Sequence, residues 1–289
     1  MRGFLVALLF CFIFCSPSYA IKIGLETEVH KTYIGASETA NIIDANFDKV
    51  LLQMEKMKGY DFKPSGKHIA VKVNGTYYTL PTDNLVIKTE PNAYLFAKKT
   101  WYKGFFRIVN TDGKLTVINE VDIENYIKGV VPAEMPKNWE LEAYKAQAVA
   151  ARSYAMANIG KRSAYGYDLN DKPVDQAYRG ASSETEITQQ AVDETKGIVL
   201  ICNNEIIPAF YCSAAGGQTK TAQEVWHKDL AYIKSVPSYD EDVKRNGHGV
   251  GMSQHGANNL AKNGYNFYQI LQHFYANIQF ARLKPQYME

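Results

Sequence analysis

Two prolines four positions apart constrain the backbone of this chain most strongly, and Glu134 lies between them. Pro132 and Pro136 fix their own φ, and each disfavours helical geometry in the residue before it, which is Val131 or Met135. The pattern predicts a stiff, non-helical segment that presents the Glu134 side chain. Apolar neighbours would remove water from this carboxylate and raise its pKa, as a general acid requires at neutral pH. From these residues alone, a glutamate in a surface loop remains the simpler interpretation.

The first twenty residues have the pattern of a signal peptide. Arg2 gives a positive start, an apolar run follows from residue 4 to residue 15, and Ser18 and Ala20 are small residues at the cleavage position. The run is too short to span a bilayer, which takes about twenty residues in a helix. We therefore predict an exported protein of the cell envelope that is cleaved after Ala20. An uncleaved membrane anchor is the alternative.

Cleavage would leave 269 residues and change the formal net charge from +2 to +1, because Arg2 is the only charged residue of the leader. This length suits one large domain or two small ones. A nearly neutral chain has no electrostatic footprint for a polyanion, so we expect no nucleic acid partner. No later segment is long and apolar enough to predict a membrane span.

Residues 21–106 have the alternating pattern of a β-rich region. Asn-Gly at 74–75 and Asp-Gly at 112–113 are typical of two-residue hairpin turns. The stretch 45–57 is predicted as a helix. We expect a boundary near residue 106, followed by a second region that comprises residues 107–289.

The second region mixes helices and strands. An alanine-rich pattern predicts a helix at 139–159 with Asn138 as its N-cap. A capping box of Ser183 and Glu186 predicts another helix, which stops at Gly197. Further predicted elements are strands at 198–202 and 206–211 and helices at 254–262 and 267–275. The predicted fold class is α+β, with a β-rich N-terminal region followed by a mixed region.

Cys202 and Cys212 are the two cysteines that follow the leader. Two cysteines in an oxidising compartment suggest a disulfide, but the predicted hairpin places one at its turn and the other near its far end. At about 3.3 Å per residue the two would lie roughly 20 Å apart, whereas a disulfide needs about 5.5 Å between Cα atoms. We predict free thiols.

Two glycine-containing loops are candidate binding segments. The first, 213–219, could bring backbone N–H groups to an anion or a sugar oxygen, and a plain turn is the alternative. It lacks the lysine and the spacing of a P-loop, which argues against nucleotide binding. The second, 247–257, contains His248, a candidate general base or sugar ligand. A histidine that holds this loop together by hydrogen bonds is the simpler interpretation.

Two further features have both structural and functional interpretations. Arg152 and Ala148 share one face of the alanine-rich helix, and the spacing alone predicts that the arginine side chain extends outwards to solvent. It could instead contact a sugar or hold a carboxylate. His248 and His255 with Cys212 or His227 could suggest zinc, but no pair has a short metal-ligand spacing. A metal-free site is therefore favoured, and we expect no cofactor.

The segments 130–154, 211–219 with 224–226, and 247–257 stand in the order and spacing of a known family. Over roughly residues 107–280 the chain resembles the family of stage II sporulation protein D and the amidase enhancer LytB. The resemblance implies a lytic transglycosylase that cuts peptidoglycan glycan strands, preferentially strands that an amidase has stripped of stem peptides. It implies Glu134 as the catalytic residue. It also implies substrate-binding roles for Arg152, Gln176, Tyr178, Ser213, Gly216, Gly217, Thr219, His248, Ser253 and Gln254.

The chain departs from the family pattern in two places. Some relatives bind zinc through two cysteines and a histidine just before Gln176, where this chain has Asn170, Val174 and Asp175. We therefore expect no metal there. The family often has a histidine before the first glycine loop, where this chain has Cys212, so a role for a histidine at that position has no support here.

The chemistry is consistent with the resemblance. Hydrolytic glycosidases generally need two carboxylates, and the sequence offers one well-placed acid. A lytic transglycosylase can use Glu134 alone, first as general acid and then as the base that activates the muramic C6 hydroxyl. A non-catalytic glycan-binding module that enhances a partner amidase is the first alternative. A zinc peptidase or amidase of the cell wall is the second.

Overall fold

The computed structural model of the protein describes residues 20–284, and within this range it contains four β-sheets and six α-helices. Apart from Ala20, the predicted leader lies outside the described residues. Between residues 20 and 284, no helix combines the length and the apolarity needed to cross a membrane.

The elements follow one another along the chain with a clear change from strands to helices after residue 122. The strands are β1 (Ala20–Val29), β2 (Thr32–Ala36), β3 (Ala40–Asp44), β4 (Lys49–Met54), β5 (Gly59–Ser65), β6 (His68–Val73), β7 (Thr76–Leu80), β8 (Asn84–Thr89), β9 (Leu95–Ala97), β10 (Thr100–Tyr102), β11 (Phe105–Thr111), β12 (Lys114–Asp122), β13 (Leu169–Asn170), β14 (Ile198–Cys202), β15 (Glu205–Ile206), β16 (Tyr211–Cys212), β17 (Met252–Ser253) and β18 (Gln279–Arg282). The helices are α1 (Ile123–Glu134), α2 (Leu141–Ala157), α3 (Glu186–Glu194), α4 (Ala222–Trp226), α5 (Gln254–Lys262) and α6 (Phe267–Phe274). The predicted α+β class is confirmed.

Two large sheets share one core. The first sheet has seven strands in the order β13-β1-β12-β11-β8-β3-β4, and the second has six in the order β10-β9-β2-β5-β6-β7. Strands such as β11 bury every second side chain, including Phe106 and Ile108. These side chains form a continuous apolar cluster with buried residues of α1, α2 and α3, so the helices are fixed against the sheets.

Both predicted hairpin turns are confirmed. Val73 pairs with Thr76 across the β6–β7 turn, and Thr111 pairs with Lys114 across the β11–β12 turn. The two central residues of each turn have positive φ, which is the geometry that Asn-Gly and Asp-Gly favour. Position 106 lies within β11, which pairs with β8 on one side and β12 on the other. The two predicted regions therefore share the first sheet.

The helix predicted at 45–57 is wrong. This stretch contains strand β4, which pairs antiparallel with β3, and β3 in turn pairs with β8. Asp48 and Met57 on either side of the strand have positive φ, which a helix does not allow. Hydrogen bonding to a sheet strand and burial of Met54 outweigh the local helical propensity.

The segment around Glu134 is helical up to Glu134, which differs from the prediction, and extended at Met135, which agrees with it. Pro132 lies inside α1, so Val131 is helical and the segment is not the extended one predicted. Val130 and Val131 are fully buried, and their packing holds the last turn despite the missing proline N–H. Met135, before the second proline, is extended with φ −117° and ψ 142°, so the helix ends at Glu134.

The predicted helices have shifted starts. Asn138 has φ 66° and does not cap α2, whose N-cap is Glu140. The capping box of α3 consists of Thr185 and Thr188 rather than Ser183 and Glu186, and the helix ends at Glu194. In both cases the turn before the helix is longer than the sequence pattern indicates. The boundaries of α5 agree with the prediction, and α6 ends one residue earlier than predicted.

Cys202 and Cys212 are both buried free thiols, as predicted. The predicted hairpin is shorter than expected, because β15 ends at Ile206. The next strand, β16, leaves this sheet and pairs with β17 in parallel. Tyr211 and Cys212 are therefore placed beside the second glycine loop.

Arg152 is fully buried, so the prediction that it extends to solvent is wrong. Its guanidinium forms two hydrogen bonds with the Glu124 carboxylate, from Nε at 2.9 Å and from Nη2 at 2.6 Å. Nη1 donates to the Ile198 carbonyl at 3.0 Å, and Gly197 N donates to Glu124 at 2.9 Å. This buried pair joins α1, α2 and the start of β14.

We expect Arg152→Met to destabilise the fold by about 3–5 kcal/mol, because it leaves the Glu124 carboxylate buried without its cation. Urea unfolding measures the difference. Asp193→Asn is the matched control, since it breaks the surface pair of Asp193 with Lys128, and a surface pair contributes roughly 0.2–1 kcal/mol. Equal losses in the two variants would contradict the structural role of the buried pair.

Candidate active site

Glu134 lies at the C-terminal end of α1 and lines a cleft of about 580 Å³. Its side chain is partly buried, and one carboxylate oxygen accepts a hydrogen bond of 2.6 Å from the backbone N–H of Ala177. The volume is in the range of small-molecule sites in proteins. The structure therefore presents this carboxyl group to a space that can hold a ligand.

Burial raises the pKa of Glu134 above its ordinary value, since loss of water disfavours the anion. Hydrogen bonds from Ala177, Tyr211 and Gln254 act in the opposite direction but are outweighed. The positive charge of Arg179 also opposes the shift. The position at a helix C-terminus, where unpaired carbonyls concentrate negative charge, is a further disadvantage for the anion. A neutral carboxylic acid is thereby favoured at higher pH than usual.

The cleft contains a second acid, Asp175, but its oxygens are already engaged. One oxygen accepts from Lys161 at 2.7 Å, and the other accepts from Arg162 and from the Asn170 backbone N–H. These contacts lower the pKa of Asp175, although desolvation acts to raise it. The side chain is fully buried in this cluster. Glu134 is thus the only acid lining the cleft, among residues 20–284, that is free of an ion pair.

Aromatic rings form one wall of the cleft. Trp226 lies between Phe210, at a centroid distance of 4.6 Å, and His248, at 5.0 Å. His248 Nδ1 accepts a hydrogen bond from the Val250 N–H at 3.0 Å, and burial lowers its pKa, so the ring is neutral at neutral pH. Flat apolar faces beside polar groups are suited to the faces of sugar rings.

A buried polar network supports the groups around Glu134. Gln176 accepts from the Tyr126 hydroxyl at 3.2 Å and donates to the Tyr211 hydroxyl at 3.0 Å. Gln254 donates to Gln147 at 3.3 Å, across the contact of α5 with α2. Tyr211 and Gln254 are therefore held in place from behind.

Asp240 fixes the two glycine loops to each other. Its carboxylate accepts hydrogen bonds from the N–H groups of Ala215 and Gly217, at 2.7 and 2.8 Å, and from the Ser253 hydroxyl at 2.6 Å. The Ser238 hydroxyl also donates to it. Desolvation acts to raise the pKa of Asp240, but these hydrogen bonds lower it overall. The anion is therefore the form that holds the loops.

The backbone of the second loop needs its glycines. Gly251 has φ 76°, and a Cβ there would lie 2.0 Å from the Phe210 carbonyl oxygen. Gly247 has φ 98°, and a Cβ there would meet Cys212 at 3.0 Å. These close approaches bring β16 and the His248 loop together at the cleft.

Residues 111–202 match the family model described as Stage II sporulation protein. These residues are therefore similar to a stage II sporulation protein domain. The first and second glycine loops lie beyond the residues matched by that model.

Three relatives illustrate the similarity. The chain is 42% identical to the amidase enhancer of Bacillus subtilis over 107 residues, which is 37% of this chain and 14% of that protein. It is 34% identical to stage II sporulation protein D of the same organism over 136 residues, 42% of this chain and 40% of that protein. An uncharacterised protein of Brachyspira hyodysenteriae is 35% identical over 136 residues, 47% of this chain and 37% of its own length. The chain thus spans less than half the length of each.

The residues predicted to form the site fall into three groups according to their position relative to the cleft. Four line the cleft, namely Glu134, Ser213, His248 and Gln254. Four are buried behind it, namely Arg152, Gln176, Thr219 and Ser253, and their hydrogen bonds go to other parts of the protein. Gly216 and Gly217 shape the first loop outside the cleft lining, and Tyr178 lines a neighbouring cleft.

This distribution changes the predicted roles of the buried residues. Arg152 and Gln176 have no exposed surface, so they cannot touch a ligand in the cleft directly. Arg152 holds α1 and α2 together, and Gln176 holds Tyr211. The family resemblance implied substrate-binding roles for both residues, and a resemblance in sequence does not show whether a polar side chain is buried.

The sequence prediction missed several residues that line the cleft, among them Tyr154, Phe210, Tyr211 and Trp226. Tyr211 and Trp226 lie in the family-like segments, so that likeness was an available signal. Asp240 was also missed, and its sequence neighbours give no sign that four donors converge on it.

The residues just before Gln176, at which the resemblance raised the question of a zinc site, include no cysteine or histidine at the three positions concerned. Asn170 and Val174 offer neither a thiolate nor an imidazole, and Asp175 is engaged by Lys161 and Arg162. In the described part of the chain, no group of three or more His, Cys, Asp or Glu side chains is arranged to hold a metal ion.

We expect Asp240→Asn to destabilise the protein by about 2–3 kcal/mol at neutral pH. The amide nitrogen of the asparagine cannot accept the hydrogen bonds that the loop N–H groups and the serine hydroxyls donate to the carboxylate. Since the pKa of Asp240 lies below the ordinary 3.8, the wild-type advantage is complete above that value and is lost as the pH falls through the folded-state pKa. Urea unfolding at neutral and acidic pH measures this. The exposed neighbour Asp242→Asn is the control; an equal effect there, or a loss that does not depend on pH, would contradict the role of Asp240.

Proposed function

We propose that this protein is a lytic transglycosylase that cleaves peptidoglycan glycan strands, preferentially strands from which an amidase has removed the stem peptides. The observation that carries the proposal is the Glu134 carboxyl group, which has a raised pKa and lies in a cleft that offers no second unpaired acid among its described lining residues. We further propose that the protein is exported and acts in the cell envelope, as the predicted leader suggests.

The reaction needs one group that first gives and then takes a proton. Protonated Glu134 donates its proton to the oxygen of the glycosidic bond, and the bond to C1 of the muramic sugar breaks. The Glu134 carboxylate then removes the proton from the C6 hydroxyl of the same sugar. That oxygen bonds to C1 and gives a 1,6-anhydro end, and Glu134 is protonated again. No water is consumed, and the leaving strand keeps a free hydroxyl.

The state of Asp175 favours this reaction over hydrolysis. Hydrolytic glycosidases need a second carboxylate as a nucleophile or as the base for water. Both oxygens of Asp175 are occupied by Lys161, Arg162 and Asn170. Using Asp175 would require two ion pairs to break, whereas the intramolecular reaction uses Glu134 alone.

The walls of the cleft support a glycan as the substrate. Phe210, Trp226 and His248 provide ring faces, and Ser213 and Asn246 provide hydrogen-bonding groups nearby. The neutral state of His248 suits contact with the uncharged face of a sugar ring. The name of the amidase enhancer relative supports a cell-wall amidase as a functional partner.

Replacing Glu134 tests the proposal. We expect Glu134→Gln to reduce the release of 1,6-anhydro products from peptide-free glycan by about 10²–10⁴-fold, because the amide cannot donate an acidic proton. Mass spectrometry of the soluble products measures this. Glu140→Gln is the matched control, since Glu140 is an exposed acid six residues on that makes no side-chain cap bond. It should retain wild-type activity.

A second candidate is a non-catalytic glycan-binding module that enhances a partner amidase, which the name of one relative favours. Under that alternative, wild-type protein alone would release no anhydro products, and Glu134→Gln would still stimulate the amidase. Unchanged product release by the Glu134→Gln variant would refute the catalytic role of Glu134.

The pH dependence gives an independent test. Only protonated Glu134 can donate, so the rate should fall as the pH rises through its pKa. Because burial raises that pKa above 4.5, the fall should lie at higher pH than for an exposed glutamate. Initial rates measured across the acidic and neutral range locate the pH at which the rate falls. A fall at the ordinary glutamate value would contradict the desolvated state of Glu134.

A further inference from the structure

A second cleft of about 540 Å³ adjoins the first. Pro173 lines both clefts. Ala177, whose N–H donates to Glu134, also lines the second one. The two clefts are therefore neighbours that meet at Pro173.

The second cleft is built by both halves of the protein. Thr100 and Tyr102 come from β10, and Lys98 comes from the turn before it. The opposite side is formed by the segment from Asp171 to Arg179. The second sheet thus contributes to the cleft next to that of Glu134, although its strands lie outside the residues matched by the family model.

The charge of this cleft is positive. Its charged lining residues are Lys98, Lys172, Arg179 and Asp171, which gives a net charge of +2. Lys98 forms an ion pair with Asp171, so this pair is neutral. Within residues 20–284, the side chains of Lys172 and Arg179 make no ion pair, and both residues are exposed. Two cations therefore remain available to an anionic ligand.

The turn that carries Lys98 is held in an unfavourable backbone geometry. Lys98 and Lys99 occupy the two central positions of the β9–β10 turn with φ 50° and 64°, where Asn-Gly would be favoured. Lys98 compensates by donating to the Leu25 carbonyl at 3.0 Å as well as binding Asp171. These contacts hold this edge of the second cleft in one position.

Peptide-stripped glycan has an anion that fits this arrangement. The stem peptide is joined to the lactyl group of muramic acid through an amide, and its removal leaves a lactyl carboxylate on each muramic sugar. Arg179 is close enough to Glu134 for its charge to act on the pKa of that group. An arginine can bind a carboxylate through two parallel hydrogen bonds. The cation is thus placed beside the sugar at which Glu134 would act.

We propose that the second cleft is a subsite for the lactyl carboxylate of peptide-free muramic acid, which Arg179 and Lys172 bind. This inference rests on the proposed function, since it names the feature of the substrate that the same cleft system recognises. It gives a physical basis for a preference for stripped strands. A strand with its peptide presents a neutral amide at this position and gains no ion pair.

Binding measurements in the Glu134→Gln background test the subsite without turnover. The probes are peptide-free glycan strands with free lactyl carboxylates and the same strands after carbodiimide coupling to methylamine, which converts the carboxylates to neutral amides. We expect the free strands to bind about fivefold more tightly, as two partly exposed ion pairs would give. The difference should shrink at high salt, because exposed charges are screened. Isothermal titration calorimetry measures both dissociation constants.

Adding Arg179→Met and Lys172→Met together should reduce the ratio of the two dissociation constants, amidated over free strands, to about one. The amidated strands should bind as before. Lys67→Met is the matched control, because Lys67 is exposed in the distant β5–β6 turn, and it should leave the ratio unchanged. Circular dichroism checks that each variant is folded. A ratio of one before the substitutions, or an unchanged ratio after them, would overturn the subsite.

The two proposals fail in different ways. If Glu134→Gln binds both kinds of strand equally while wild-type protein still releases anhydro ends, the subsite is wrong and the proposed function stands. If wild-type protein binds neither kind of strand and releases no products, the proposed function is wrong as well.

Discussion

The buried ion pair of Glu124 and Arg152 is the contact on which the position of Glu134 depends. Glu124 lies in the first turn of α1 and Arg152 lies in the second half of α2. The guanidinium also donates to the Ile198 carbonyl at the start of β14. Both charges lose water, which their mutual hydrogen bonds must offset. With every nitrogen of the guanidinium engaged, the pair fixes the orientation of α1. Glu134, at the far end of that helix, is positioned as a result.

The chemistry of Glu134 follows from where its helix stops. Pro136 forces Met135 into an extended conformation, so the carboxyl group leaves the helix at its negative end. The buried residues around it remove water without supplying a full counter-charge in contact with it. Asp175, in the same cleft, has the opposite state because Lys161 and Arg162 bind it directly. The pKa values of two carboxyl groups in one cleft are therefore shifted in opposite directions because their surroundings differ.

The cleft is assembled from segments that are distant in the chain. Glu134 comes from α1 and Ala177 from the segment before α3. The aromatic wall comes from the residue before β16, from α4 and from the second glycine loop. Asp240 connects the two glycine loops, and the β9–β10 turn of the second sheet contributes Lys98 to the edge of the neighbouring cleft. A glycan strand is a long ligand, and a site that extends over both halves of the protein is suited to it.

The sequence by itself determined the features that depend on a few neighbouring residues. These include the Asn-Gly and Asp-Gly hairpins, the end of α1 before Pro136 and the boundaries of α5, because local φ preferences and caps fix them. Tertiary structure alone decided that 49–54 is a strand, that Arg152 is buried rather than exposed, and that Asp240 binds both loops. Each of these outcomes depends on partners far away in the chain, such as Glu124 for Arg152. Burial and pairing between residues that are distant in the chain leave no pattern in the local sequence, because the exclusion of water depends on the packing of the whole folded protein.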